Sequence, residues 1–216
     1  MNPVTPFLII SSTFFLFSPS FTVADTDDSP ASPFSLSNEK PYKIIIQETV
    51  TIDSQEYIIP ASWQGQKIGT KSLTKPPLVQ VPSKFVKNDG IIYLLPEACE
   101  AFQTMAEKAK QDSIEIVIDS GYRSVWYQKK IFKRLMEKGK SFDEIARYVA
   151  PPGYSEHMLG LAVDFHPSDW RFVDSPVYQW LKAHAEKFGF SETYPESSPN
   201  NKPWEPSHWR YHSPSP

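Results

Sequence analysis

Three stretches of the chain concentrate reactive side chains: Ser120-Gly121-Tyr122-Arg123-Ser124, the run from Ser155-Glu156-His157 through Gly160 to Asp164, and Trp204-Glu205-Pro206-Ser207-His208-Trp209. Together they hold two imidazoles, a carboxylate suited to ligation, a spare carboxylate and a guanidinium. Those are the parts of a catalytic zinc site, in which three protein ligands leave one coordination position open and a nearby carboxylate moves protons. Each stretch alone is weak, because a single histidine is more often a surface or hydrogen-bonded core residue than a ligand.

Geometry constrains which of these side chains can meet. His157 and Asp164 are seven residues apart and would point to opposite faces of one straight strand, so the chain must bend between them, and Gly160 can supply the bend. His157 would then sit on the loop entering a strand from which Asp164 projects, with His208 arriving from a distant strand as third ligand. Glu205, three residues before His208 with Pro206 between them, would lie close to the metal without ligating it. Spacing leaves competitors open: His166 shares the strand face of Asp164, and His212 that of His208 if its strand runs straight. An Asp164 and His166 pair fits almost as well as His157 and Asp164. His184, on a helix rich in Lys and Glu, is assigned no role. A serine hydrolase is disfavoured, since His157 stands where the second glycine of a nucleophile elbow Gly153-Tyr154-Ser155-Glu156 would be needed.

The elements that must position these groups follow from local patterns. Ile91 to Leu95 reads as a short strand, and Pro96 to Gln111 as a helix with Cys99, Phe102, Met105, Ala106 and Ala109 on one face. Ile114 to Ile118 reads as a strand turned by Ser120-Gly121, and Ser124 to Lys138 as a helix stopped at Gly139. Ser141 and Glu144 form a capping box for a helix through Tyr148, ended by Pro151-Pro152-Gly153. Leu161 to His166 is a strand, Pro176 to Phe188 a helix capped by Ser175 and closed by Gly189, and Trp209 to Tyr211 a last strand. Helices and strands are mixed, with no internal repeat and no glycine-rich phosphate loop, so the expected class is α+β in a single catalytic domain.

With 216 residues the chain can bury one substantial core. Its net charge of -3 gives no basic surface for a nucleic acid, and a monomer is expected. Phe7 to Phe17 is an apolar run too short to span a membrane, followed by a small-residue Thr22-Val23-Ala24. Residues 1–24 therefore read as a signal peptide of an exported protein, destined for the periplasm or cell envelope. Residues 25–40, rich in Ser, Pro and Asp, read as a disordered linker, and 41–77 as an extension of short strands and turns without a legible role. Cys99 is the single cysteine, so no disulfide can form within the chain, and it reads as a small buried hydrophobe.

The motifs Ser120-Gly121-Tyr122-Arg123-Ser124 with Gln128, Pro152-Gly153-Tyr154-Ser155-Glu156-His157 leading to Gly160-Leu161-Ala162-Val163-Asp164, and Glu205-Pro206-Ser207-His208-Trp209-Arg210-Tyr211 closely resemble the VanY-type D-alanyl-D-alanine carboxypeptidases. The resemblance runs from about Leu78 to Tyr211 in the family's order and spacing. It implies a small antiparallel sheet backed by helices, with residues 78–212 as the zinc carboxypeptidase domain. It also implies that His157, Asp164 and His208 hold Zn2+, that Glu205 is the base, that Arg123 anchors substrate, and that Gln128 and Ser155 line the cleft. The implied substrate is a peptidoglycan stem peptide, cut at its terminal D-Ala. An L,D-carboxypeptidase or a stem-peptide endopeptidase of the same fold is the alternative. In another class stands a zinc-binding module without catalysis, which would need neither Glu205 nor Arg123; a wall-binding adaptor is a further rival. One departure is Ser207, where the family usually has Trp before the last histidine; here a Trp follows at 209.

Overall fold

The computed structural model describes residues 47–68, 76–197 and 202–213. The proposed leader and linker, and the part of the extension before residue 47, lie outside the described residues. No helix among the described residues is long and apolar enough to cross a membrane.

Strands β1 (Thr49–Ile52) and β2 (Gln55–Ile58) form a hairpin; β3 (Val79–Gln80) pairs with β4 (Tyr93–Leu94). Helix α1 (Pro96–Gln111) follows, then β5 (Ile118–Ser120), α2 (Val125–Met136), α3 (Phe142–Ala146), β6 (Ala162–Phe165), α4 (Pro176–His184), β7 (Phe190–Glu192) and β8 (His208–Tyr211). The principal sheet is antiparallel and four-stranded in the order β5-β6-β8-β7. The fold is α+β, as the pattern of elements implies.

Alternation along the two central strands gives the sheet two chemically distinct sides. Val163 and Phe165 of β6 and Trp209 and Tyr211 of β8 pack into the main core with Phe102 and Met105 of α1 and Tyr178 and Leu181 of α4. Burying such a side chain contributes about 1.5–3 kcal/mol, so the register is strongly held. The intervening residues, Asp164, His208 and Arg210, therefore face the other way, and β6 pairs with β8 so that Asp164 lies opposite His208. A second cluster on that side joins Ile52, Ile59 and Trp63 of the N-terminal extension to Phe132, Phe142, Ile145, Tyr154 and Tyr194.

The capping box is present: the Ser141 hydroxyl accepts from the Glu144 backbone N–H, and the Glu144 carboxylate accepts from that of Ser141. Ser124 and Ser175 also cap their helices. Boundaries differ in places. The strand expected at Ile114 to Ile118 begins at Ile118, because β6 ends at Phe165 and Pro167 has no N–H; only the His166 N–H reaches back, to the Val117 carbonyl at 3.0 Å. The helix expected to Phe188 tightens into a 3-10 turn after His184, and α2 and α3 each stop two residues early, at Met136 and Ala146. Strand β7 is only three residues long and carries no alternation that marks it in the sequence.

Gly160 adopts φ +70 as it closes a 3-10 turn over Glu156–Leu159, and a Cβ there would lie 3.1 Å from Leu78 Cδ2 and 3.2 Å from the Leu95 nitrogen. The left-handed conformation costs an L-residue roughly 1–2 kcal/mol before any clash. Gly160→Ala is expected to lower unfolding free energy by about 1–3 kcal/mol, read from urea denaturation. An unchanged midpoint would mean that the turn does not need glycine.

Candidate active site

The 3-10 turn Glu156–Leu159 carries His157 into the sheet's polar side, where β6 supplies Asp164 and β8 supplies His208. One ligand-type atom from each lies within 4.8 Å of the others. His157 is buried, and its Nδ1–H donates to the Gly121 carbonyl at 2.6 Å, which leaves a Nε2 lone pair facing Asp164 Oδ2 at 3.2 Å. Nε2 has no hydrogen-bond partner. Burial pushes the His157 pKa down to about 4, against the pull of Asp164, so no proton fills the gap near neutral pH. Two electron-pair donors facing each other in a buried site call for a cation. Nitrogen, nitrogen and oxygen in a three-ligand set is a combination that suits zinc with an open position.

The other imidazole behaves differently. His208 faces Asp164 Oδ1 through Nδ1 at 3.0 Å and Glu156 Oε2 through Nε2, also at 3.0 Å. Burial alone would lower its pKa, but the two carboxylates outweigh burial and raise it to about 10. In the metal-free chain a proton on Nδ1 thus occupies the position a metal would take. Asp164 is held well below the carboxylate range, because His157, His208 and Arg123 together overcome the penalty of burial.

Around this cluster runs a cleft of about 290 Å³ lined by Arg123, Gln128, Ser155 and Glu205 among others. Arg123 Nη2 donates to Asp164 Oδ2 at 3.2 Å and Nη1 to Gln128 Oε1 at 3.5 Å, while its buried Nε has no partner. Gln128 is itself anchored by donating to the Ala150 carbonyl at 2.7 Å. Glu205 is tied through its backbone, its N–H donating to Tyr194 and its carbonyl accepting from the His208 N–H. Burial raises the Glu205 pKa to about 7, with Asp164 adding to the rise and His208 opposing it. A carboxyl poised there can take or give a proton near neutrality.

All seven residues singled out from the sequence meet at this cleft. The competing ligands do not: His166 Nδ1 pairs with Asp119 at 3.0 Å and His212 is exposed. His184 packs against the Trp180 ring. Three contributions escaped sequence reasoning. Glu156 backs His208 and is gripped by Arg210, a partnership only tertiary structure reveals. Trp63, from the extension that had no legible role, lines the cleft, with the Lys202 ammonium 3.6 Å from its ring centre. Tyr194 packs against the His208 ring at 5.2 Å. With Ser207 small and buried beside His208 and Trp209 turned into the core, the aromatic lining comes from Trp63, Tyr148, Trp170, Tyr194 and Trp204.

The chain belongs to a family of carboxypeptidases: the family model described as VanY, D-alanyl-D-alanine carboxypeptidase, matches residues 91–214. A D-alanyl-D-alanine carboxypeptidase of Enterococcus faecalis is 34% identical over 122 residues, covering 50% of this chain and 44% of that protein, so the chain spans less than half the length of this relative. Among solved structures, the LdcB LD-carboxypeptidase aligns with a TM-score of 0.60 and 27% identity, over 76% of this chain and 84% of that one. A mutant of the vancomycin-resistance D,D-pentapeptidase VanY in complex with Zn(II) aligns with a TM-score of 0.52 and 27% identity, over 67% and 82% respectively.

Ligands that bind only the folded state stabilise it, by about 2.7 kcal/mol at a hundredfold excess over Kd. Zinc added to metal-stripped protein is therefore expected to raise Tm in the wild type and equally in His166→Ala and His212→Ala, and to leave His157→Ala unmoved. A zinc shift kept by His157→Ala and lost by His166→Ala would reverse the ligand choice.

Proposed function

We propose that the chain is a zinc-dependent D-alanyl-D-alanine carboxypeptidase that removes the terminal D-Ala of peptidoglycan stem peptides. The observation that carries this is the donor set of two buried imidazoles, His157 and His208, and the half-buried Asp164, sharing one cleft with a carboxyl, Glu205, whose pKa is raised to about 7. Membership of the VanY family and the likeness to a zinc-bound VanY support the metal and the substrate class. Residues 78–212 form the catalytic domain in this proposal, and 41–77 an extension that completes the cleft wall through Trp63. The apolar run Phe7 to Phe17 fits a leader that exports the enzyme to the envelope, where its substrate lies.

His157 Nε2, His208 Nδ1 and an Asp164 carboxylate oxygen would hold the ion. Bound zinc supplies Lewis acidity, lowering the pKa of a coordinated water toward ~7 and polarising a carbonyl. Glu205 accepts a proton from the attacking water and returns it to the departing D-Ala amine. Arg123, whose planar fork matches a carboxylate, anchors the substrate's C-terminal carboxylate and thereby places the last peptide bond over the cluster. Gln128 and the Ala150 carbonyl that holds it keep that guanidinium in place. Ser155, buried on the cleft wall, offers a hydroxyl to the peptide backbone. A purely zinc-binding module would have no use for a buried carboxyl of raised pKa.

Defined muropeptides incubated with zinc-loaded protein and analysed by mass spectrometry should lose one alanine from the pentapeptide. Loss from the tetrapeptide alone would instead indicate L,D-carboxypeptidase action, the activity named for the LdcB neighbour. No cleavage of any muropeptide would contradict the enzyme assignment.

Glu205→Gln is expected to keep stoichiometric zinc and lose at least about a hundredfold in kcat, whereas His208→Ala should lose both. The base must be ionised to act, so kcat/KM should rise with pH through a limb at or below about 7, since zinc's charge draws the Glu205 pKa downward from its metal-free value. A fully active Glu205→Gln enzyme would show that another group is the base.

A further inference from the structure

The two imidazoles of the cluster are held from behind in different ways. His157 is fixed by a backbone carbonyl, that of Gly121. His208 is fixed by a side chain. Its Nε2–H donates to Glu156 Oε2 at 3.0 Å, and the other oxygen of that carboxylate, Oε1, accepts from Arg210 Nη1 at 2.7 Å. Arg210 lies two residues beyond His208 on the same face of β8, paired with Ala162 of β6. Glu156 itself immediately precedes His157 in the 3-10 turn. One short turn therefore delivers one imidazole to the cluster and grips the other from its far side.

We propose that Glu156 is a positioning residue for the metal centre: its carboxylate, clamped by Arg210, fixes His208 in the tautomer and ring orientation that present Nδ1, not Nε2, beside Asp164. This rests on His208 being a ligand, as set out above. A ring flip about its last torsion would put Cδ2 where Nδ1 now faces Asp164 and Cε1 where Nε2 now faces Glu156, and the two carboxylates, one at each nitrogen, oppose it. With the Glu156 carboxylate removed, Nε2–H is left unsatisfied in a site where His208 is 3% exposed, and Asp164 alone is left to hold the ring's orientation. An anionic partner on the distal nitrogen also makes the ligating nitrogen more basic, which strengthens its bond to a metal. Glu156 lies on the cleft wall, but both its oxygens are engaged, Oε2 by His208 and Oε1 by Arg210, so it acts through His208.

The test is the zinc dissociation constant of the full chain, measured by competition with a chromophoric chelator, for wild type, Glu156→Ala, Glu156→Gln and Glu156→Met. Glu156→Ala is expected to bind zinc about 10- to 100-fold more weakly. Glu156→Gln keeps an oxygen able to accept the Nε2–H and should recover part of the loss, whereas Glu156→Met, which fills similar space without that acceptor, should not. Far-ultraviolet circular dichroism of the metal-free proteins should be superimposable.

A Glu156→Ala protein that binds zinc as the wild type does would overturn the assignment, as would a loss that Gln does not relieve at all. Should Glu156→Ala fail to fold, the imidazole nitrogen chemical shifts of the zinc-loaded wild type decide: a protonated Nε2 and metal-bound Nδ1 on His208 support the assignment, and the reverse overturns it. Wild type that takes up no zinc would remove the metal centre itself, a failure distinct from variants that bind zinc unchanged.

Discussion

Antiparallel pairing of β6 with β8 is the constraint on which the cleft depends. It places Asp164 directly opposite His208 and, by the two-residue period of a strand, commits Val163, Phe165, Trp209 and Tyr211 to the apolar core. A slip of one residue would turn charged groups into the core and aromatic rings into the cleft, at a cost of several buried side chains. The packing of the apolar side thus fixes the relative position of two polar groups that have little intrinsic affinity for a dry site. The third member of the cluster, His157, comes from a turn that only Gly160 closes without strain, so the same region depends on one hydrophobic register and one backbone conformation.

Three carboxylates within this small region are pushed apart by their surroundings. Asp164 meets two imidazoles and a guanidinium and stays ionised despite burial. Burial would raise Glu156 too, but His208 and Arg210 pull it down to about 2. Among the described residues Glu205 has no such partner in direct contact, and burial carries it up to about 7. Environments that separate like groups in this way suit them to the different work proposed for them: ligation, support and proton transfer. The arrangement also explains why His157 and His208, though neighbours, move in opposite directions. One is surrounded by a carbonyl and a shared carboxylate; the other stands between two carboxylates.

Much of this was legible in the residues. Helix α1, the Ser141 capping box, the turn at Gly160 and the α+β class follow from spacing and turn chemistry alone. The types of residue in the cleft were legible as well, but spacing could not separate His157 from His166, because both satisfy the periodicity around Asp164; only the resemblance to a family chose between them. The structure distinguishes them by partner, since His166 turns to Asp119. Trp63 and Glu156 were out of reach for a different reason. Their partners, Lys202 and His208, are far along the chain, and no local pattern encodes such a meeting. Strand β7 was lost to its brevity, and the displaced start of β5 to a partner strand that ends in proline.

The central claim is that one ion sits between His157, Asp164 and His208 with Glu205 beside it. A crystal structure of the zinc-loaded protein with data collected on both sides of the zinc absorption edge tests this most directly. The account predicts a single anomalous peak at about 2.0–2.2 Å from His157 Nε2, His208 Nδ1 and an Asp164 oxygen, with Glu205 near but outside the coordination sphere. A peak at His166 and Asp119, or one with Glu205 as a ligand in place of either histidine, would contradict it.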